Sequence, residues 1–406
     1  MTGLAVVADD LTGAMDAGVK LAKLGLGTVV LLDAGELPRV EVVVVSTDSR
    51  DETREVAYSR AREVAGRLQG RAVYKKIDST LRGNIGPELD GLLDGLGLER
   101  ALVAPAFPSA GRTTVDGCHR VHGVPLADSA FAADPSWPAK ESHLPTLLRG
   151  QTRRSVGHLP LAVIAEGERR VIEALRAEPA SVVAADAAEP VHLQTLATAL
   201  AAMKDRWLPC GSAGLAEMWP RTLGMKRSSG VSPGWSADSR PVLVVAGSRH
   251  EATAAQLSRA AADGILRVID LPVVDEEWQS VAELCAVPAL AQGLSVALTT
   301  TFSPYQEGRR AANAEMLGRA AKWVLAHSAV SGLVMTGGDV ARAVCRVLGT
   351  RALRVVDEIQ PGLPAGTLLG GVCDGLRAVT KAGGFGDSEA ILESVSYIRD
   401  GAERDG

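Results

Sequence analysis

Short runs of Val, Leu, Ile and Ala alternate along the chain with longer stretches whose apolar positions recur every three or four residues. Runs of the first kind fall at Leu4–Ala8, Thr28–Leu32, Val42–Ser46, Ala72–Lys76 and Ala101–Ala104 and predict buried strands. Stretches of the second kind at Thr12–Leu24 and Pro87–Leu96 predict helices. Between Glu52 and Leu68, the residues Val56, Ala57, Ala61, Val64, Ala65 and Leu68 paint one helical face. Strand, helix, strand in this order predicts a mainly parallel sheet covered by helices. Residues 105–160 break the rhythm with Pro, Ser, Asp and His, and a long irregular segment in a compact domain is often functional. The alternation returns at Leu161–Ile164 and Ser181–Ala184.

Residues 225–241 lack apolar periodicity and are dominated by Ser, Gly and Pro, as in a linker. Beyond them the pattern restarts with a strand at Val242–Ala246, a helix at His250–Ala262, a strand at Leu294–Leu298, a helix near Arg309–Ala326 and a strand at Leu333–Thr336. The expectation is an α/β protein of two domains, 1–224 and 242–406 joined by 225–241, each a mainly parallel sheet flanked by helices, with a ligand cleft between them. The length of 406 residues agrees, because single cores stop growing near ~250–300 residues.

Composition narrows the function. A formal net charge of −5 argues against general nucleic-acid binding, which needs Lys and Arg to offset phosphate charge, but leaves room for a small anion at a local positive site. No apolar run approaches the ~20 residues that span a bilayer. The N-terminus lacks the basic, apolar and small-residue succession of a signal peptide, so no membrane partner is expected. Cys118, Cys210, Cys285, Cys345 and Cys373 are odd in number and include no CxxC pair, which points to a reducing cytoplasm rather than a disulfide framework or a zinc knuckle.

The polar residues that remain gather where strands end. In open α/β sheets ligands bind beyond the carboxyl ends of strands. Asp9, Asp10 and Asp16 follow the first strand; carboxylates accept hydrogen bonds from hydroxyls, and one could act as a base. A helix cap accounts for one of them and not for all three. Asp78, Ser79, Thr80, Arg82 and Asn84 follow the strand at Ala72–Lys76; Arg82 can grip a carboxylate bidentately, although Asn84 could equally cap a helix. Arg112 and Asp116, in the third polar loop, could simply pair with each other. The second half carries glycine-bearing strand ends instead: Gly247-Ser248, Gly337-Gly338-Asp339 and Gly383-Gly384. Glycine lets backbone N–H groups approach phosphate oxygens, and three such loops suggest a nucleotide site. Neither a Walker A lysine nor a G-x-G-x-x-G after the first strand is present, and His119 and His122 complete no metal-ligand pattern, so no metal-binding residue is predicted.

Taken together, ADDLTGAMDAG at 8–18, KIDSTLRGNIGPEL at 76–89, PAFPSAGRTTVDG at 105–117, GSAGLAE at 211–217, AGS at 246–248, TGGD at 336–339, IQPGLPAG at 359–366 and KAGGFGD at 381–387 resemble the four-carbon acid sugar kinase family. The resemblance implies an N-terminal sugar-acid domain, a C-terminal nucleotide domain, and transfer of the ATP γ-phosphate, with Mg²⁺, to a terminal hydroxyl of threonate, erythronate or an oxo-tetronate. It implies that Ser248, Gly337, Gly338, Asp339, Gly383 and Gly384 lie at ATP, and that Asp9, Asp16, Asp78, Ser79, Arg82 and Asn84 face the acid, with Asp10 as first candidate for the catalytic base. The sequence departs from the family at Met15 and at Asp339-Val340, where a Glu-Thr pair is common. Two other readings stay open: an NAD-dependent sugar-acid dehydrogenase and a non-catalytic nucleotide and sugar-acid sensor. The stereochemistry of the acid and any homo-oligomer are also left open.

Overall fold

The computed structural model describes residues 3–32, 37–133, 137–203, 206–225, 235–272, 277–303 and 308–401. The predicted linker at 225–241 falls mostly on 226–234, outside the described residues. The chain divides into two compact units. The first takes in Met1–Thr28 and Asp33–Ser229, and the second Val29–Leu32 and Gly230–Gly406.

The elements of the amino-terminal part run β1 (Leu4–Ala8), α1 (Leu11–Lys23), β2 (Thr28–Leu31), β3 (Val42–Ser46), α2 (Arg54–Arg67), β4 (Ala72–Lys76), α3 (Ile85–Leu96) and β5 (Arg100–Ala104). There follow β6 (Arg112–Val115), β7 (Cys118–Val121), β8 (Val124–Pro125), α4 (Leu144–Gln151), β9 (Val156–Leu159), α5 (Leu161–Ala165), α6 (Glu168–Ala177), β10 (Val182–Ala185), α7 (Pro190–Ala201), β11 (Trp207–Gly211) and α8 (Ala213–Thr222). Strands β3-β1-β4-β11-β5-β10-β9 lie side by side, every pair parallel. The central strands read as nearly continuous Val, Leu and Ala because helices cover the sheet; Leu4–Ala8 and Val42–Val45 are buried throughout. The core uses small and branched aliphatics, as expected of a chain with only 3% aromatic residues.

Two departures from the sequence reading have local causes. Residues 105–160 hold an antiparallel meander, β6-β7-β8, whose two turns have two residues each. Asp116 and Gly117 have φ of 51° and 72°, and His122 and Gly123 have 49° and 82°. Positive φ at both central residues matches the right-handed twist of the flanking strands, and Asx-Gly is the usual spelling of such a turn. The alternation at Leu161–Ile164 belongs to helix α5 instead, and the nearby strand is β9. Short apolar runs do not distinguish buried strand from buried helix, and Pro160 at the helix N-cap decided this one.

The second unit runs β12 (Val242–Ala246), α9 (Glu251–Ala262), β13 (Leu266–Asp270), α10 (Glu277–Val281), α11 (Val287–Ala291), β14 (Ser295–Thr299), α12 (Arg310–His327), β15 (Gly332–Thr336), α13 (Gly338–Leu348), β16 (Ala352–Glu358), β17 (Pro364–Leu369), β18 (Arg377–Lys381) and α14 (Ala390–Asp400). Its sheet is ordered β13-β14-β12-β15-β18-β17-β16-β2, the last strand coming from the amino-terminal part of the chain. The first five strands are parallel, and β17 and β16 continue the sheet in antiparallel pairing.

Each unit has a point where successive crossovers leave in opposite directions. In the first, the chain leaves β1 through α1 and returns to this sheet at β3; it leaves β4 through α3 and returns on the other side at β5. In the second, β12 leads through α9 to β13 on one side, and β15 leads through α13 to β16 on the other. At such a point the loops diverge and leave a crevice beyond the strand ends. The polar loop after β1 and the one after β4 flank the first point; Gly247-Ser248 and Gly337-Gly338 flank the second.

Candidate functional sites

In the first unit, parallel register sets Ala8 beside Lys76, so Asp9 and Asp78 emerge from neighbouring strands. Asp10 is the N-cap of α1: its Oδ1 accepts from Gly13 N–H at 2.7 Å. A Cβ at Gly13 would lie 2.6 Å from that oxygen and 3.3 Å from Lys76 Nζ, so only glycine leaves this space open. The capping account of Asp10 therefore holds, and it does not exhaust the residue. Arg50, in the loop after β3, donates from Nε to Asp9 Oδ2 at 2.7 Å, from Nη2 to Asp9 Oδ1 at 3.0 Å and from Nη1 to Asp10 Oδ2 at 2.6 Å. One guanidinium thus braces both carboxylates. Asp9 is buried, whereas the Asp10 side chain keeps 22% of its exposure.

The two neighbours titrate in opposite directions. Burial pushes the Asp9 carboxyl up, but Arg50, Lys75 and Lys76 outweigh it and hold Asp9 below the ordinary carboxylate value. Burial also pushes Asp10 up; Arg50 opposes this, but the charge of Asp9 adds to it, and Asp10 ends above that value. Paired carboxylates with diverging pKa values are a usual source of an acid–base division of labour.

Behind them lies a buried ion pair, Lys75 with Glu88 on α3, to which Ser49 Oγ adds a hydrogen bond to Glu88 Oε1 at 2.7 Å. Lys76 Nζ lies 3.8 Å from Asp16 Oδ2, inside α1. In the loop after β4, Asp78 accepts from Arg82 Nε at 2.8 Å and Nη2 at 3.2 Å, and also from the Thr80 hydroxyl. Burial would raise the Asp78 carboxyl, yet Arg82 and Arg50 hold it well below the ordinary value. Arg82, expected to meet a ligand carboxylate, is thus itself forked onto Asp78. Asn84 occupies the N-cap position of α3 without capping it; its amide donates to the carbonyls of Ser49 at 3.0 Å and Glu52 at 2.9 Å. It holds the segment that carries Arg50. Arg112 donates to the Ala110 carbonyl, and Asp116 offers its backbone N–H to Asp186 at 2.8 Å.

Ser79 is held from the meander. Its carbonyl meets His119 Nε2 at 2.8 Å, and His119 Nδ1 meets Thr114 Oγ1 at 2.9 Å. Burial lowers the His119 pKa to about 4. The ring is neutral near pH 7, and because a carbonyl only accepts, its proton sits on Nε2 and Nδ1 accepts from Thr114.

In the second unit three glycine-bearing loops converge. Gly337 has φ of 100° and its N–H donates to the Lys381 carbonyl at 2.8 Å. A Cβ there would lie 3.6 Å from Ser248 N, and one at Gly383 would collide with the Ser248 hydroxyl. Gly384 lies against the His250 ring, and His250 caps α9. Gly338 opens α13, whose first turn carries Asp339, paired with Arg310. Loops of this kind present backbone N–H groups and a helix N-terminus to an anion.

Arg50, Lys75, Lys76, Glu88 and Lys381 belong to these clusters although the sequence reading gave them no role. Arg50 does follow a predicted strand, Val42–Ser46, which is the signal that could have found it.

Residues 4–219 match the family model of a sugar-binding N-terminal domain, and 243–391 that of a nucleotide-binding C-terminal domain. The chain is 36% identical to the D-threonate kinase of Bordetella bronchiseptica, with 98% of each chain covered. It is 33% identical to the D-erythronate kinase of Heliobacterium modesticaldum, with 98% of this chain and 97% of that one covered. Among solved structures, one from Salmonella typhimurium LT2 superposes with a TM-score of 0.82 at 26% identity, covering 97% of this chain and 99% of that one. A sugar-binding domain followed by a nucleotide-binding domain is the organisation of a sugar kinase. The chain belongs to the four-carbon acid sugar kinase family.

Proposed function

We propose that the protein transfers the γ-phosphoryl group of ATP to the terminal (4-) hydroxyl of a four-carbon sugar acid such as D-threonate, D-erythronate or 3-oxo-tetronate. The observation that carries the reading furthest is the pair Asp9 and Asp10, braced by one arginine at a switch point of the sugar-binding domain, with pKa values driven apart. Phosphoryl transfer asks mainly for positioning and charge stabilisation, plus a group that takes the hydroxyl proton. Asp10 is the proposed base. Its raised proton affinity and remaining exposure suit that task better than the buried, charge-held Asp9. Asp9, Asp16, Asp78 and Ser79 are the proposed partners of the hydroxyls. Arg82, oriented by Asp78, is the proposed partner of the acid group. Asn84 contributes by holding the Ser49–Glu52 segment in place.

In the second unit, Ser248, Gly337, Gly338, Gly383 and Gly384 are proposed to receive the nucleotide phosphates. Among the described residues no group of three or more His, Cys, Asp or Glu could hold a metal ion. Mg²⁺ usually takes one or two carboxylates together with phosphates, and Asp339 is the carboxylate proposed to meet it. When bound, the ion would offset phosphate charge.

The test is a panel of four-carbon acids with ATP and Mg²⁺. ADP release that depends on one of the acids, with the phosphate on O4 by ³¹P and ¹H NMR, is the expected result. Binding of acid and nucleotide without turnover would favour a sensor, and reduction of NAD by a tetronate a dehydrogenase.

A further inference from the structure

The 382–387 turn of the second unit directs its carbonyls inward. Lys381 Nζ donates to the carbonyls of Ala382 at 3.1 Å, Gly383 at 2.9 Å and Phe385 at 3.0 Å. Thr253 Oγ1 donates to Gly383 O at 2.9 Å, and Gln256 Nε2 to the carbonyls of Phe385, Gly386 and Asp387 at 3.1, 3.2 and 2.7 Å. With the carbonyls drawn in, the Gly383 and Gly384 N–H groups make no hydrogen bond among the described residues. The open α-carbon faces of these two glycines lie against Ser248 and His250: a Cβ at Gly383 would collide with the Ser248 hydroxyl, and one at Gly384 would lie 3.0 Å from His250 Nε2. Lys381 itself is buried, and carbonyl dipoles rather than a carboxylate surround its ammonium. A buried cation is costly unless a counter-charge comes near, and unused amides above it are receptors for an anion.

We propose that Lys381 is the internal counter-charge and positioning residue for a phosphate group of the nucleotide, received on the amides of Gly383 and Gly384. The proposal rests on the nucleotide reading of this unit and adds a residue to it. Lys381 acts from beneath the turn: its three protons shape the backbone, and its charge faces the phosphate through one peptide layer. Burial already lowers its pKa to about 8, so arrival of an anion restores the charged form and takes up a proton. Other ionisable groups stand on the elements around it. His250 caps α9, Asp339 pairs with Arg310, and Asp387 and Glu393 both accept from Gln360.

Magnesium-free ADP is the probe, titrated calorimetrically into the full-length protein between pH 7 and 9 in buffers of low and high ionisation enthalpy. The expected result is proton uptake near pH 8 and an affinity about tenfold weaker at pH 9 than at pH 7, the linkage of one group with a pKa near 8. Lys381→Met should bind ADP at least about tenfold more weakly at pH 7, with neither uptake nor pH dependence, while tetronate binding to the first unit persists as proof of folding. His250→Asn should keep the proton uptake. Wild-type binding of ADP with no proton uptake overturns the proposal, and needs no variant to fold. So does a Lys381→Met protein that keeps the wild-type affinity or profile. Folded wild-type protein that binds tetronate but no ADP removes the nucleotide reading itself, and the proposal with it.

Discussion

Residue by residue, the first site turns on how one guanidinium is shared. Arg50 holds Asp9 through two nitrogens and Asp10 through one, and Asp9 has the additional charges of Lys75 and Lys76. Adjacent carboxylates cannot both be easily ionised in a buried place, and the less favoured partner, Asp10, becomes the better proton acceptor. Asp10→Asn keeps the cap to Gly13 and the shape of the loop but removes the basic oxygen. Acid-dependent turnover is expected to fall by about 10²-fold or more, with the dissociation constants of both ligands changed far less. The pH profile follows from the sign: as the proposed base Asp10 would act deprotonated, and its pKa is raised, so kcat should decline as pH drops through a value above the ordinary carboxylate range. An acidic limb at or below 3.8, the usual Asp value, would assign the limb to another group. Much at this scale was legible in advance. Asp9, Asp10 and Asp78 do cluster, because strand-end residues of neighbouring parallel strands must meet. What could not be read was which polar atoms satisfy each other. Asn84 was expected at a ligand and instead spends its amide on the Ser49–Glu52 backbone, and Arg82 is forked by a residue four positions earlier. Such pairings depend on rotamers and on loops distant in sequence, such as the one carrying Arg50.

At the level of elements, strands β1 to β5, β12, β14 and β15 and helices α1, α2, α3, α9 and α12 were recovered from apolar spacing, whereas the antiparallel pair β16–β17 and the meander were not. Its strands Arg112–Val115 and Cys118–Val121 are short and polar, and a ribbon of this kind has little apolar alternation to display. The informative signs were Asp116-Gly117 and His122-Gly123, each between β-compatible segments. The two turns should respond differently to alanine. Both glycines have positive φ, but around Gly123 a Cβ would meet nothing within 4 Å, whereas at Gly117 it would lie 2.7 Å from His143 Nε2 and 3.2 Å from Pro145 Cδ. Gly123→Ala is expected to cost about 1–2 kcal/mol, from the left-handed backbone alone. Gly117→Ala should cost about 1–3 kcal/mol more, from overpacking against α4. Denaturant titration of the two variants measures the difference; equal losses would mean that His143 moves aside freely.

For the whole molecule, the two units repeat one architectural device on different chemistry. Each sets its proposed ligand loops where crossovers diverge, the first with carboxylates and arginines and the second with glycines. The proposed acid residues and the proposed nucleotide residues lie in separate units, so each ligand should bind without the other. Thermal unfolding is expected to shift upward with a tetronate alone and with ADP alone, each by an amount set by RT ln(1 + [L]/Kd). Arg82→Gln should reduce the first shift and spare the second, and Gly383→Ala the reverse. Loss of both shifts in either variant would show that the assignment by unit is wrong.

The imidazole of His119 has a wider consequence. With a pKa near 4 and its single hydrogen directed at the Ser79 carbonyl, it ties the loop of Asp78, Ser79 and Arg82 to the meander as a latch that does not feel pH across the neutral range. An inflection in activity around pH 6–7, the region commonly credited to histidine, would have to be sought elsewhere in this protein. Protonation would take from Nδ1 its role as acceptor toward Thr114 and leave the Nε2–H bond to Ser79 in place, and it belongs to solution near pH 4 and below.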